Sequence, residues 1–426
     1  MGLCIQAKVH RLQNGWLFES AKISQVSTDP TPSKVDHLSI GMLGVLTICA
    51  YGSWYYAFGV LLDPIRIDTG WRESSLALSF SLGTVGVGVG SPIGGRLLDH
   101  YGHQKVFLVA GLVGAGGLIV ASTASSTLVF AGGAAVGLGA FGSMGFYHIT
   151  MSLAVRLHPD NSSRAIAVLT LWGAIASTIF IPLASWLVTA HGWRVTTRIL
   201  AVVTWAAFWL AVVVVRPAPG APHRRAQPSV GRVLYAIIGS PASRWFSLAV
   251  ALGGIAMATL LAYQVPVMTA AGLPAGVAAS MAGLRGLFQL TGRIPIGYLV
   301  ARLGTNGSLM LAFGAMGTSG LLLRSSSSIA VAVAFAVVAG FGVGSFSPLQ
   351  GMKASELFDH ESLGMTMGLY GGIMLVAGGI GPAVGGVIVD WTGDRSWVPL
   401  IVVVAGVLSV LCVGGMAHVG PKDAES

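Results

Sequence analysis

The chain contains the stretch Gly95-Arg-Leu-Leu-Asp99-His-Tyr-Gly102-His-Gln-Lys105, which separates two long apolar segments. A related stretch, Gly297-Tyr-Leu-Val-Ala301-Arg302-Leu-Gly304, separates two more such segments further along the chain. Each copy follows the second apolar segment of one half of the chain. Two copies at matching places predict an internal repeat, and only the first copy keeps an acidic residue, because Ala301 stands in the place of Asp99.

Apolar segments long enough to cross a bilayer continue on both sides of these stretches, from about Ile40 to His418. A membrane-spanning helix needs ~20 apolar residues at a rise of ~1.5 Å per residue. A basic interruption in the middle divides the segments six and six. We therefore predict an all-α membrane protein with twelve transmembrane helices in two six-helix half-bundles. The predicted spans are 40–62, 74–98, 106–122, 128–154, 165–188, 196–215, 245–270, 277–301, 308–323, 329–353, 364–391 and 398–416.

Lysine and arginine are distributed unequally between the two ends of these spans. Sixteen lie on the side of the chain termini and six on the opposite side, which by the positive-inside rule places both termini in the cytoplasm. The predicted layout is a cytoplasmic tail (1–39), a first bundle (40–216), a cytoplasmic linker (217–244), a second bundle (245–418) and a second tail (419–426). The lysine-poor composition suits the cytoplasmic (inner) membrane of a bacterium.

The composition excludes several other classes of protein. Charged residues make up 9% of the chain, against about 25% in soluble domains. The net charge of +9 follows from topology, and no aromatic residue is interleaved with the arginines of the linker, so no nucleic-acid partner is expected. Three scattered cysteines suggest neither a disulfide nor a metal cluster.

The sequence signatures of nucleotide-binding proteins and hydrolases are either absent or lie in the wrong structural context. A Gly-x-Gly-x-x-Gly pattern at 137–142 lies inside an apolar span instead of linking a strand to a helix. No Gly-Lys dipeptide occurs, which excludes a Walker-A site, and His-Glu-x-x-His and Gly-x-Ser-x-Gly are absent. We expect no enzyme activity, no cofactor and no metal.

The stretch from Gly95 to Lys105 closely resembles the loop signature of the major facilitator superfamily. The resemblance implies a conformational switch formed by Gly95, Asp99, Gly102 and Lys105. The two glycines permit a tight turn, and Asp99 can pair with a base or a helix N-terminus in one conformation and release it in another. Stretches 70–74, 191–194 and 381–393 resemble the monocarboxylate-transporter-like branch of this superfamily.

Two arginines lie deep in the eighth predicted span, where a charge costs ~2.5–3.5 kcal/mol on insertion scales. Arg285, Gln289 and Arg293 follow each other at intervals of four and share one stripe of the helix. Arg293, with Pro295 behind it, resembles the arginine that binds the substrate carboxylate in this branch, although it could instead anchor the helix end. Gln289 stands where the branch has an aspartate thought to take the coupled proton.

Other polar side chains are placed to complete a substrate site. Because helices one, four, seven, eight, ten and eleven line the cavity in this superfamily, the candidates beside the arginines are Tyr51, Tyr55, Tyr147, Tyr263, Gln264 and Tyr370. His148 is the one side chain of the spans that titrates near neutral pH, as a proton relay or as a hydrogen-bonded core residue.

These residues predict a monomeric secondary transporter that works by alternating access in the lipid bilayer. The expected cargo is a small organic anion, with a monocarboxylate as the first candidate. A coupling proton is an open option. One alternative is a carrier of a larger, partly aromatic solute such as a vitamin or drug, favoured by the tyrosines and by Gln289. A second alternative is a non-transporting membrane receptor, although no stretch outside the spans is long enough for a folded output domain.

Overall fold

The computed structural model describes residues 37–158, 162–216, 230–358 and 363–418, and within these ranges the chain is helical with short connections and no strand. Residues 1–36 of the first predicted tail, residues 217–229 of the predicted linker 217–244 and the whole second tail (419–426) lie outside the described residues. A single turn of π-helix covers Tyr51–Tyr56, and a 3₁₀ turn covers Arg395–Trp397. The α-helices are α1 (His37–Ala50), α2 (Phe58–Thr69), α3 (Glu73–Thr123), α4 (Thr127–Gly145), α5 (Tyr147–Leu157), α6 (Ser162–Ala174), α7 (Ala176–Val214), α8 (Val230–Gly239), α9 (Pro241–Ala270), α10 (Ala275–Arg293), α11 (Ile296–Arg324), α12 (Ile329–Leu357), α13 (Leu363–Gly378), α14 (Ile380–Thr392) and α15 (Pro399–His418).

These helices account for all twelve predicted spans. The first span is α1, the π turn and α2 together; the fourth is α4 with α5, and the eleventh is α13 with α14. The long helix α3 contains the second and third spans, which meet at Gly102 with φ of 77°. The fifth span is α6 with the first part of α7, and the sixth is the rest of α7 beyond Gly192, where φ is 74°. The eighth span is α10 continued by the first turns of α11, which bends at Gly304 into the ninth span.

The same helix-breaking glycine and helix-capping serine recur in the two halves, 202 residues apart. Gly102 and Gly304 both break a helix, with φ of 77° and 68°. Ser126 and Ser328 both cap the helix that follows, each accepting a hydrogen bond at 3.4 Å from the backbone N–H three residues on. The internal repeat inferred from the loop signature is therefore present in the backbone as well as in the sequence.

The halves meet through small residues. Helix α2 packs on α9, α7 on α10, and α3 on α13 and α14. A Cβ atom at Gly59 would lie 2.9 Å from the carbonyl oxygen of Ala262, and one at Gly286 would lie 2.1 Å from the hydroxyl of Ser177. Without side chains at these points the backbones of the two halves can approach closely, as in other membrane helix pairs.

The bend at Gly102 gives a stability prediction. Gly102→Ala should lower the thermal midpoint of the purified protein, because the backbone at Gly102 (φ 77°, ψ 162°) is essentially restricted to glycine and costs another residue roughly 1–3 kcal/mol. Gly95→Ala is the matched control, since a Cβ at either position meets nothing within 4 Å and Gly95 lies in ordinary helix. Gly95→Ala should be neutral or slightly stabilising. Equal midpoints for the two variants would contradict the strain assigned to Gly102.

Candidate functional site

Arg285 is completely buried in the seam between the two halves, with 0% of its surface exposed. Its Nε donates a hydrogen bond of 2.9 Å to Oε1 of Gln264 on α9, which is itself 1% exposed. Both terminal nitrogens, Nη1 and Nη2, lack a hydrogen-bond partner among the described residues. Gln264 therefore holds the guanidinium by one edge and leaves the two-pronged end without a partner.

Arg293 lies two helical turns away on the same stripe and makes different contacts. Its Nη1 donates to the backbone carbonyl of Thr170 on α6 at 2.7 Å, and its Nη2 donates to Oε1 of Gln289 at 3.4 Å. The same Thr170 carbonyl accepts the hydroxyl of Tyr147 at 3.0 Å. Arg293 thus connects the halves, as expected of an anchor, while its Nε and the Nε2 of Gln289 have no partner among the described residues.

The unpartnered atoms on α10 share one chemical property. Arg285 Nη1 and Nη2, Gln289 Nε2 and Arg293 Nε are all N–H donors. Neither arginine belongs to any of the ion pairs among the described residues. A buried donor without an acceptor costs ~1–3 kcal/mol, and more when it is charged. The stripe is therefore complementary to a ligand rich in acceptor oxygens.

Aromatic rings lie beside the stripe on the other half. Tyr51 stacks on Phe146 with ring centroids 3.7 Å apart, and the rings of Tyr55 and Tyr147 lie 5.8 and 5.5 Å from that of Tyr51. Tyr56, the last residue of the π turn, belongs to the same group: it is 7% exposed and its ring lies 5.7 Å from that of Tyr51. The sequence analysis missed Tyr56, because a π turn leaves no trace in the hydrophobic pattern; its only signal was its place next to Tyr55.

The remaining predicted residues lie in three different surroundings. The hydroxyl of Tyr263 is buried without a partner among the described residues, and its ring is turned toward Gly385. His148 is part-buried, and its Nε2 lies 3.1 Å from the carbonyl oxygen of Ser143, as expected of a satisfied core histidine. Tyr370 contacts Ser247 and the rings of Phe246 and Phe358, all within the second half. The structure does not place Tyr370 with the arginines.

A cluster of charges joins the halves at the end of the bundle away from the chain termini, here called the distal end. Arg395 Nη2 lies 2.5 Å from Asp63 and 2.7 Å from Glu73, and its Nε also donates to Glu73. Glu73 is 1% and Arg395 8% exposed. Asp390 accepts hydrogen bonds from the backbone N–H groups of Glu73 and Ser74, which begin α3. The sequence analysis did not find this distal cluster.

Ion pairs at the opposite, proximal end stay within one half. Asp99 lies 2.5 Å from Arg156, which joins the predicted switch to the end of α5. In the second half Lys353 pairs with Glu356 at 2.9 Å, and Thr305 donates to the same carboxylate. Among the described residues, the ion pairs that cross between the halves are therefore those of the distal cluster.

A family model and several solved structures of membrane transporters are similar to this chain. The family model described as Major Facilitator Superfamily matches residues 43–323 and 265–425. The nucleoside transporter NupG is 16% identical, with 90% of this chain and 98% of that chain covered and a TM-score of 0.69. A D-xylose-proton symporter is 14% identical, with 90% and 98% covered and a TM-score of 0.73. These likenesses show the fold alone, and no curated protein matches the sequence.

The distal cluster predicts the effect of a single neutral substitution. Glu73→Gln should separate the distal ends of the halves, because it removes one of the two carboxylates that hold Arg395. Spin labels on cysteines introduced at Leu128 and Ile329, which are 82% and 55% exposed at the starts of α4 and α12, report the distance. We expect a larger population at long distance in Glu73→Gln than in the parent.

The matched control is Asp68→Asn. Asp68 is also a distal carboxylate, but its partners Trp193 and Arg194 belong to its own half. The distance distribution should not change in this variant. Identical distributions in Glu73→Gln and the parent would show that the distal cluster does not hold the halves together. Cys4 is replaced by Ser in all variants, whereas Cys49 and Cys412 are buried.

Proposed function

The chain belongs to the Major Facilitator Superfamily and is a membrane transporter of that type, and from this premise we propose that its cargo is a small organic anion, in the simplest case a monocarboxylate. The observation that carries the proposal is Arg285, completely buried with both terminal nitrogens unpartnered among the described residues. In this proposal the cargo's carboxylate occupies that two-pronged end and the rest of the cargo lies toward the tyrosines.

The chemistry of Arg285 favours a carboxylate over a neutral group. A guanidinium pairs with a carboxylate through two parallel hydrogen bonds, a geometry that lysine cannot reproduce. A buried charge without a counter-charge is destabilising by several kcal/mol. Because Gln264 satisfies only Nε, binding of an anion compensates both the charge and the two missing hydrogen bonds.

The alternative cargo, a larger neutral solute such as a vitamin or drug, fits the rings of Tyr51 and Tyr55 but not the stripe. A neutral solute would leave the charges of Arg285 and Arg293 uncompensated. The solved structures with similar folds carry nucleosides, a sugar and peptides by their titles, so the fold does not choose among cargoes. The choice rests on the side chains of α10.

We further propose the arrangement predicted from the sequence: a monomer in a bacterial inner membrane with both termini in the cytoplasm. The distal end then faces outward, and the distal cluster closes the outer entrance. In each transport cycle Arg395 must separate from Asp63 and Glu73, while Asp99 is the candidate switch at the proximal end. His148, bound to the Ser143 carbonyl, is the remaining candidate for a coupled proton.

Gln264→Glu tests the anion site without creating a cavity. The new carboxylate would lie beside Arg285 Nε and neutralise the guanidinium from within the protein. We expect a thermal midpoint equal to or above that of the parent. Affinity for the cargo should fall by about 10- to 150-fold, since hydrogen bonds to charged groups are worth ~1.5–3 kcal/mol. Counterflow of C3–C6 monocarboxylates and their amides in proteoliposomes measures the effect.

The control for this variant is Gln104→Glu, which adds the same charge at an exposed position on α3. It should leave the preference for acid over amide unchanged. A parent protein that exchanges the amides as well as the acids would refute the proposal. So would a stable Gln264→Glu protein with undiminished affinity for the acid.

A second prediction concerns the proximal switch. Asp99→Asn removes the ion pair with Arg156, and the hydrogen-bond partners of the arginine stripe among the described residues are Gln264, Gln289 and Thr170, not Asp99. We expect turnover to fall while the dissociation constant of the cargo changes by less than twofold. Single-turnover exchange and equilibrium binding separate the two quantities. A parallel loss of binding and turnover would assign Asp99 to the substrate site or to folding instead.

A further inference from the structure

The arginine stripe carries more positive charge than one carboxylate neutralises. We propose that the cargo has a second acidic group, held by Gln289 and Arg293 while the first occupies Arg285, so that this carrier prefers dicarboxylates and other small dianions to simple monocarboxylates. The inference rests on the proposed function and names the substrate class of the same site. It is carried by the charge balance, by the unpartnered donors and by the asymmetry of the two halves.

Charge balance is the first observation. Arg285 and Arg293 contribute two positive charges to one helix stripe, and the ion pairs among the described residues include neither. Every acidic side chain in the described ranges has a partner other than the two arginines. The ion pairs are Asp63 and Glu73 with Arg395, Asp68 with Arg194, Asp99 with Arg156, and Glu356 with Lys353. Asp390 accepts hydrogen bonds from the first N–H groups of α3, and Asp394 accepts one from Ser396. A monoanion would leave one of the two charges without a counter-ion.

The position of the unpartnered donors is the second observation. A carboxylate bound to both Nη atoms of Arg285 uses both of its oxygens in that pair. Gln289 Nε2 and Arg293 Nε would still lack acceptors. On an α-helix these residues follow Arg285 by ~6 and ~12 Å along the axis. A second carboxylate on a short carbon chain would give these two donors acceptors of their own.

The contacts of Arg293 do not neutralise it. Its partners are a backbone carbonyl at Thr170 and the amide oxygen of Gln289, both uncharged. Arg293 is also only partly buried, whereas Arg285 is completely buried. A second carboxylate at Arg293 would lie next to the bond that joins α10 to α6, so a dianion would contact both halves at the proximal side of the site.

The two halves differ at this stripe although their backbones repeat. At the repeat length of 202 residues, the first-half equivalents of Arg285, Gln289 and Arg293 are Gly83, Val87 and Ser91 of α3. The first half therefore has no charge at the equivalent positions. Both cationic groups lie on one wall of the seam, where they can hold the two ends of one molecule.

The experiment compares diacids with their half-amides, which have the same length but one charge fewer. Probes are the C3 to C6 unbranched diacids, the corresponding half-amides and monoacids, tested by thermal shift of the purified protein and by counterflow in proteoliposomes. For at least one chain length the parent should bind the diacid about tenfold or more tightly than its half-amide, as expected from one additional charged hydrogen-bonded group.

Arginine variants assign the preference to the two charges. Arg293→Gln should bring diacid and half-amide to equal affinity, and Arg285→Gln should weaken both. Arg302→Gln is the matched control, because Arg302 is exposed on the continuation of the same span and lies over the Tyr298 ring. This control should keep the preference of the parent.

Gln289→Glu provides an independent route if Arg293→Gln does not fold. Gln289 already accepts from Arg293, so a carboxylate there would neutralise Arg293 internally and should also abolish the preference. Equal affinity of the parent for diacid, half-amide and monoacid would overturn this inference and leave the anion carrier intact. The same holds if the preference survives in Arg293→Gln or Gln289→Glu. Absence of binding by any acid would instead refute the proposed function.

Discussion

The structure depends on one constraint: a positive charge is held in the centre of an apolar bundle without a counter-charge in the described protein. Arg285 is enclosed on all sides, yet only its Nε has a hydrogen-bond acceptor. Exposure to lipid would cost more still, so the eighth span must face the seam between the halves. In the proposed function, that orientation also determines which residues meet the cargo, namely Gln264 on α9, Gln289 and Arg293 on α10, and the tyrosines around the π turn.

The close packing of the halves is what makes this enclosure effective. Gly286, one residue after Arg285, lies so near Ser177 that a Cβ atom would clash with its hydroxyl. Water is thereby kept from the guanidinium, and electrostatic interactions strengthen when water is excluded. The same packing requires small residues such as Gly59 and Gly286 on the helices of the seam.

Much of this arrangement could be predicted from the sequence, because it follows from local patterns. Apolar length gave the spans, and the Gly95–Lys105 stretch with its second copy gave the repeat. The spacing of Arg285, Gln289 and Arg293 gave the stripe, since helical periodicity is local. The predicted ends were less accurate: the ninth span was expected at 308–323, whereas its helix begins directly after the bend at Gly304.

The features that could not be predicted depend on contacts between distant parts of the chain or on irregular backbone. Glu73 and Arg395 are 322 residues apart, and nothing near either residue indicates the other. Thr170 binds Arg293 through its backbone carbonyl, a group that every residue has. Tyr56 joins the aromatic group at the end of an irregular π turn. Tyr370 was assigned to the site from its helix alone, although its contacts lie elsewhere in the second half.

The distal cluster and the arginine stripe are suited to different tasks, because the charges of the distal cluster are paired with each other and those of the stripe have no ion-pair partner among the described residues. In the distal cluster Arg395 is paired across the halves, and the gain from pairing buried ions is largely offset by their loss of hydration. Opening the distal end returns Asp63, Glu73 and Arg395 to water, and the hydration free energy that they regain offsets much of the lost ion-pair energy. A contact of this kind separates two states by only a few kcal/mol, as a carrier with two accessible conformations requires. The arginine stripe has no such ion-pair partner among the described residues, and in the proposed function its charge is compensated only when cargo is present. The distal cluster is thus suited to hold the distal end closed, while the stripe, in the proposed function, makes the enclosed state with cargo more favourable than the enclosed state without it.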